Sequence, residues 1–173
     1  MYPEYKDGII KDCKENYSPL MVLIENFLHI STWVLAGWLV WPVQLQGWPV
    51  LTIAWAGVVL VVQILLKKHN CSGCYYYGKA CHLGWGKLAR WIFMQDSGNL
   101  KTGMRLSLFY IVSPPLFLAA GILSGILMDL GMRHWVLVGV YVALNLLAFT
   151  VRFKGCKVCA MRKVCPGSAV KSG

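Results

Sequence analysis

The stretch "PVLTIAWAGVVLVVQILLKKHNCSGC", residues 49–74, decides how this chain is read. From Pro49 to Leu66 no residue carries a charge, which is nearly the roughly 20 helical residues needed to cross a bilayer. The run then stops at Lys67 and Lys68, and Cys71 and Cys74 follow at once. A membrane helix that ends in a basic pair and a thiol pair poses two questions: which side of the membrane it ends on, and what the thiols hold.

The rest of the chain has the same character. Hydrophobic residues make up 57% and charged residues 14%, against about 25% charged in soluble domains. Three further apolar runs are predicted to span, at 20–42, 106–128 and 134–151. So many runs in 173 residues leave too little polar sequence to cover them as a soluble core. The fold expected is therefore an all-α integral membrane protein with four transmembrane helices.

Lysine and arginine in the short connections orient it. "VQLQGW" (43–48) has no charge and "DLGMR" (129–133) has one basic residue, Arg133. The middle connection holds Lys67, Lys68, Lys79, Lys87, Arg90, Lys101 and Arg105, and the tail holds Arg152, Lys154, Lys157, Arg162, Lys163 and Lys171. Both termini and the long middle loop are thus expected in the cytoplasm, in an inner or plasma membrane. Acidic residues mixed with the N-terminal lysines do not make the short basic lead of a cleavable signal. The net charge of +10 reads as topology and as attraction to anionic lipid, not as a nucleic-acid surface.

A duplication is visible in the spacing. One offset lays Cys71 on Cys156 and Cys74 on Cys159, and Cys81 meets Cys165 after a one-residue gap. Each half reads as two spans, a basic residue, CxxC and a third cysteine. An even number of spans per half makes the repeat parallel, with its axis along the membrane normal. The expected organisation is a cytoplasmic amphipathic helix over 1–18, a hairpin with its cysteine motif over 19–85, an interfacial helix and loop over 86–105, and the second hairpin with its motif over 106–173.

Reduced cytoplasmic thiols in repeated spacing point to metal. The candidate ligands are Cys71, Cys74, Cys81, Cys156, Cys159 and Cys165, with Cys13, His69 and His82 as additional ligands. Gly73 and Gly155 give the backbone freedom that a metal knuckle needs. Two four-cysteine iron–sulfur clusters exceed the seven cysteines of the chain. One four-thiolate site, two sites of three cysteines plus another ligand, and a thiolate-bridged pair of metals all stay open. The spacing CxxCx6C then CxxCx5C resembles the binuclear zinc clusters of fungal transcription factors over the six cysteines alone, which implies a six-thiolate site and nothing about DNA. Pro166 after Cys165 is similar to the Cys-Pro ending of bacterial ferredoxin motifs. Iron–sulfur would place a one-electron centre at the membrane surface, and zinc would be a clasp.

Glu25 and His29 are the ionisable residues well inside a span, on one face at i, i+4 spacing, and form a candidate quinone or proton site. Alternatively, Glu25 bonds His29 within the bundle. Gln63 and Asn145 are expected to join helices. Pro114 and Pro115 should kink or break the third span, which would either open a pocket opposite His29 or only bend the helix. Tyr75, Tyr76, Tyr77 and Trp85 could shield the metal or anchor at the interface. Leu88, Trp91 and Ile92 make the apolar face of the interfacial helix, ended by a turn at 97–99. Seven acidic residues, none paired in a loop, and no phosphate-binding glycine pattern argue against hydrolysis and phosphoryl transfer. The expected function is a membrane electron-transfer subunit with an iron–sulfur centre, part of an oxidoreductase with a protein redox partner and a quinone. The other expectation is a structural zinc site in a membrane scaffold, assembly factor or small transporter.

Overall fold

The computed structural model describes residues 13–165 and 168–170. Its regular structure is all helical: α1 (Pro19–Leu39), α2 (Val50–Leu66), α3 (Trp85–Ile92), α4 (Leu100–Ser107), α5 (Phe109–Leu127) and α6 (Met132–Lys157). A wider π-turn, Lys67–Cys71, extends α2. Four stretches, Pro19–Leu39, Val50–Cys71, Leu100–Leu127 and Met132–Lys157, are long and apolar enough to cross a membrane.

Local chemistry sets the helix starts. The Ser18 hydroxyl accepts from the Met21 N–H at 3.3 Å, and Pro19 stands where a helix loses nothing by lacking an N–H. Asn99 caps α4 by accepting from the Thr102 N–H at 3.2 Å. Between α1 and α2 the chain reverses through Gln46 and Gly47, both left-handed, with Leu45 and Trp48 exchanging 3.0 Å backbone hydrogen bonds.

Helix α1 is the hub, packed against α2, α5 and α6. Its deep contacts gather Ala36 and Leu39 with Trp55, Val138 and Tyr141. The Trp55 ring meets Phe117 at 4.1 Å and Phe109 at 5.4 Å between centroids, and its N–H donates to the Trp33 carbonyl. Gly37 lets that indole approach, since a Cβ there would lie 3.3 Å from Trp55 Cδ1. Close approach at small residues is how helices associate where lipid removes the hydrophobic drive between them. The outer faces are apolar: Leu23, Phe27, Ile30, Val34, Leu60, Ile126 and Phe149 are each more than half exposed. Such surfaces are compatible with contact to lipid acyl chains and would be a large exposed patch in water.

Several boundaries differ from expectation. Residues 1–12 of the amphipathic helix expected over 1–18 lie outside the described residues, and the chain from Cys13 to Ser18 is not helical. The fourth span continues to Lys157, so Cys156 stands on a helix end, as Cys71 does on the π-turn. The third span runs through Pro114 and Pro115, and the helix interruption comes earlier, at Leu108. Within 86–105 the interfacial helix stops at Ile92, and Asn99 begins α4 instead of ending α3. Its Trp91 and Ile92 do face outward, while Gly86 and Ala89 are buried.

Gly86 anchors α3 on the cysteine loop. A Cβ there would overlap the Tyr76 carbonyl and lie 2.6 Å from the Lys79 carbonyl, both of them backbone atoms that cannot rotate away. Gly86→Ala is expected to cost about 3 kcal/mol or more. Size-exclusion profiles in detergent should show reduced monodisperse protein for this variant. A Gly57→Ala control has open space around the added methyl group and should behave as wild type.

Candidate functional site

The two cysteine motifs turn in the same way. The Cys74 N–H bonds the Cys71 carbonyl at 3.3 Å, and the Tyr77 N–H bonds the Cys74 carbonyl at 3.0 Å. In the second motif the Cys159 N–H bonds the Cys156 carbonyl at 3.1 Å, and the Arg162 N–H bonds the Cys159 carbonyl at 3.3 Å.

Two tyrosines and one short segment lace these turns together. The Tyr76 hydroxyl, almost wholly buried, donates to the Lys14 carbonyl at 2.6 Å and accepts from the Ala160 N–H at 3.1 Å. Tyr17 donates through its hydroxyl to the Gly155 carbonyl at 2.8 Å and through its N–H to the Ala80 carbonyl at 3.0 Å. The Lys14 N–H reaches the Val158 carbonyl at 2.9 Å. The segment 13–17 thus lies between the halves, and Tyr17, Tyr76, Cys159, Ala160 and Met161 form a buried cluster with Cys13, Cys74, Cys81 and Cys165 against it.

All seven cysteines are present as thiols. Cys71 and Cys74 are both within electrostatic reach of Cys81 and Cys165, and Cys165 is also a neighbour of Cys159. Thiols from both motifs therefore share one neighbourhood, and Cys74, Cys81 and Cys165 pack against the same buried cluster. Burial, reinforced by the charges of Cys165, Cys71 and Cys81, pushes the Cys74 thiol well above its ordinary range. Burial likewise pushes Cys159 up to about 12. Among the described residues no three His, Cys, Asp or Glu side chains are arranged to hold a metal ion as they stand. The donor set itself, soft thiols from two turns beside one another, is the chemistry that zinc and iron–sulfur clusters take.

Of the additional ligands, Cys13 lies near Tyr76 on the edge of the cluster. His69 is turned elsewhere, its Nδ1 accepting from the Asn99 N–H at 2.9 Å. His82 bridges Glu25 and Cys156: its Nδ1 is 2.7 Å from Glu25 Oε2, and its ring also hydrogen-bonds the Cys156 side chain. Burial alone would lower its pKa, but these two bonds and the Glu25 and Cys81 charges outweigh it and raise it to about 10. Glu25 is 1% exposed, and its Oε1 is buried with no hydrogen-bond partner among the described residues. The sequence pairing of Glu25 with His29 is thereby corrected, because the loop histidine supplies the carboxylate's partner.

His29 lies one helical turn deeper, edge-on to Trp33, Trp85 and Tyr110 at 5.2, 6.3 and 5.5 Å between centroids. It lines a cavity of about 370 Å³ that also has Pro114, Pro115, Tyr110, Asn145 and Arg152 in its wall. Gln63 joins helices as expected, donating to the Tyr110 hydroxyl at 2.6 Å. Asn145 does not, since it donates to the Tyr141 carbonyl one turn back in its own helix. Trp85 stands between the cysteine loop and the cavity, with the Lys67 ammonium 4.5 Å from its ring centroid. Sequence reading named Tyr76 as a shield but missed its lacing bonds, the role of Tyr17, Tyr110 and the cavity role of Arg152. A tyrosine within an apolar run was the one available signal for Tyr110, and Arg152 had registered only as a topology charge. The chain matches no protein-family model, no curated protein and no solved structure.

Proposed function

We propose that this chain is the membrane-embedded electron-transfer subunit of an oxidoreductase, with an iron–sulfur centre at its cytoplasmic face and a quinone as the lipid-side carrier. The observation that supports the reading is the packing of Cys74, Cys81 and Cys165, from both motifs, against one buried cluster, with Cys71 in electrostatic reach of Cys81 and Cys165, next to a cavity walled by aromatic residues. Four thiolates are what one such cluster takes. When bound, the cluster would supply one-electron chemistry at that mouth.

The protein's own part in this reading is to gather and shield the thiols. Tyr76 and Tyr17 hold the two turns against each other and cover them from water, and His82 orients Cys156 at the edge of the group. Burial of a centre and hydrogen bonds to its sulfurs are the means by which a protein tunes potential. The parallel duplication is supported by the matching hydrogen bonds of the two turns and by the placing of Cys71 and Cys156 at helix ends. Cytoplasmic termini in an inner or plasma membrane rest on the distribution of Lys and Arg. A soluble redox protein or partner subunits would dock at this basic face.

A second reading, structural zinc in a membrane scaffold, assembly factor or small transporter, is supported by the lacing of residues 13–17 between the motifs. A clasp that ties these short segments together would replace the hydrophobic core they cannot build. Anaerobic purification in detergent, followed by metal and labile-sulfide analysis and electron paramagnetic resonance after reduction, decides between them. Iron with sulfide and a reducible signal supports electron transfer. Stoichiometric zinc and a colourless protein support the clasp, and protein that binds neither metal sinks both readings.

A further inference from the structure

The cavity beside His29 lies in the membrane-spanning part of the bundle, between α1, α2, α5 and α6. At about 370 Å³ it is within the range of sites that take small organic ligands. Its wall is unequal. Toward the cysteine-bearing helix ends it presents His29, Tyr110 and Arg152, and away from them Trp33, Trp55 and Leu118. The Arg152 guanidinium lies 5.0 Å from the Tyr110 ring centroid, so a fixed cation stands beside a phenol at the polar end. Because Gln63 donates to the Tyr110 oxygen, the phenol's own proton can be offered to an acceptor on the cavity side. Leu146 and Phe149 line the cavity while being 64% and 57% exposed on the apolar exterior, so its edge meets the lipid-facing surface.

We infer that this cavity binds the headgroup of a lipid-soluble quinone: a planar ring with two carbonyl oxygens, one of them accepting from Tyr110, and an apolar tail leaving past Leu146 and Phe149. The ring's flat faces suit the aromatic wall. A donor and a cation at one end suit a carbonyl on which negative charge grows as the ring is reduced. A lipid acyl chain would fill the same apolar volume without accepting the Tyr110 proton. This inference rests on the electron-transfer reading for its purpose, and on the cavity alone for binding.

The test is a titration of the purified protein in nanodiscs with a short-chain ubiquinone and a short-chain naphthoquinone, read by quenching of tryptophan fluorescence. Trp33 and Trp55 are in the cavity wall and should report an occupant directly. Saturable quenching is expected at one quinone per chain for at least one of the two. Tyr110→Phe keeps the ring and removes the donor, and should raise the midpoint about tenfold. Ala148→Phe, which fills the cavity from α6, should abolish saturation, with melting and elution profiles checking that the variant is folded. Quenching that rises linearly and equally in all three proteins overturns the inference. So does equal competition by an alkylbenzene of matched tail length, which would assign the cavity to acyl chains. Iron–sulfur found without saturable quenching would sink only the cavity assignment, and saturable quenching without iron would sink only the electron-transfer reading.

Discussion

His82→Leu is expected to cost about 3–5 kcal/mol, a loss on the order of 10 °C in melting temperature for a chain of this size. The substitution leaves the Glu25 carboxylate buried at 1% exposure without a hydrogen bond to either oxygen from the described residues, because among these Oε1 has no partner and Oε2 bonds His82 alone. A buried charge without its counterpart is costly, and the pair itself contributes far less than its disruption suggests. Glu25→Leu combined with His82→Leu should therefore recover most of the loss. Thermal melts of the single and double variants in one detergent measure this coupling. If the double variant is no more stable than His82→Leu alone, the pair is not the source of the effect.

The same pair sets a pH dependence. His82 is held above the ordinary histidine value, at about 10, so its charged form stabilises the fold. A group raised on folding contributes its full stabilisation below its unfolded value of about 6.5, and loses it as pH rises through the folded value. Stability should accordingly fall between about pH 6.5 and 10 in wild type. That slope should be flattened in the double variant, where no group at these positions titrates.

Cys74→Ser and Cys165→Ser are each expected to lower bound metal by at least about tenfold after purification, because an alkoxide-forming hydroxyl does not replace a soft thiolate. Cys165 is the more telling of the two. It is the electrostatic neighbour of Cys71 and Cys74 from the first motif and of Cys159 from the second, so its loss should disturb any site that draws on both halves. Cys13→Ser lies at the edge of the cluster and should retain most of the metal. Metal analysis normalised to protein, with folded protein verified by elution profile, is the measurement. Unchanged metal in both Cys74→Ser and Cys165→Ser would remove the thiol group as the metal site.

How far a residue's place was legible depended on whether its partners were close in the chain. Pro114, Pro115 and His29 do line one cavity, the pocket that was one of the two outcomes open to the paired prolines, but the helix is not broken there and continues through both. Asn99 shows the limit of local signals. A Ser-Gly-Asn stretch reads equally as the end of one helix or the cap of the next, and only the 3.2 Å bond to the Thr102 N–H tells which. Glu25 shows it more sharply: i, i+4 spacing puts His29 on the same helical face, but a residue from a distant loop occupies the position in front of the carboxylate.

What the sequence determined by itself was the helical class, the four stretches able to cross a membrane and the thiol spacing, because run length, charge and cysteine intervals are properties of neighbouring residues that add up locally. The tertiary structure alone decided that Tyr17 and Tyr76 lace the motifs together, that His82 belongs to Glu25, and that Tyr110 and Arg152 form the polar end of the cavity. Each of these depends on residues from different segments of the chain, and their meeting follows from how α1 packs at the centre of the bundle, which no local pattern encodes.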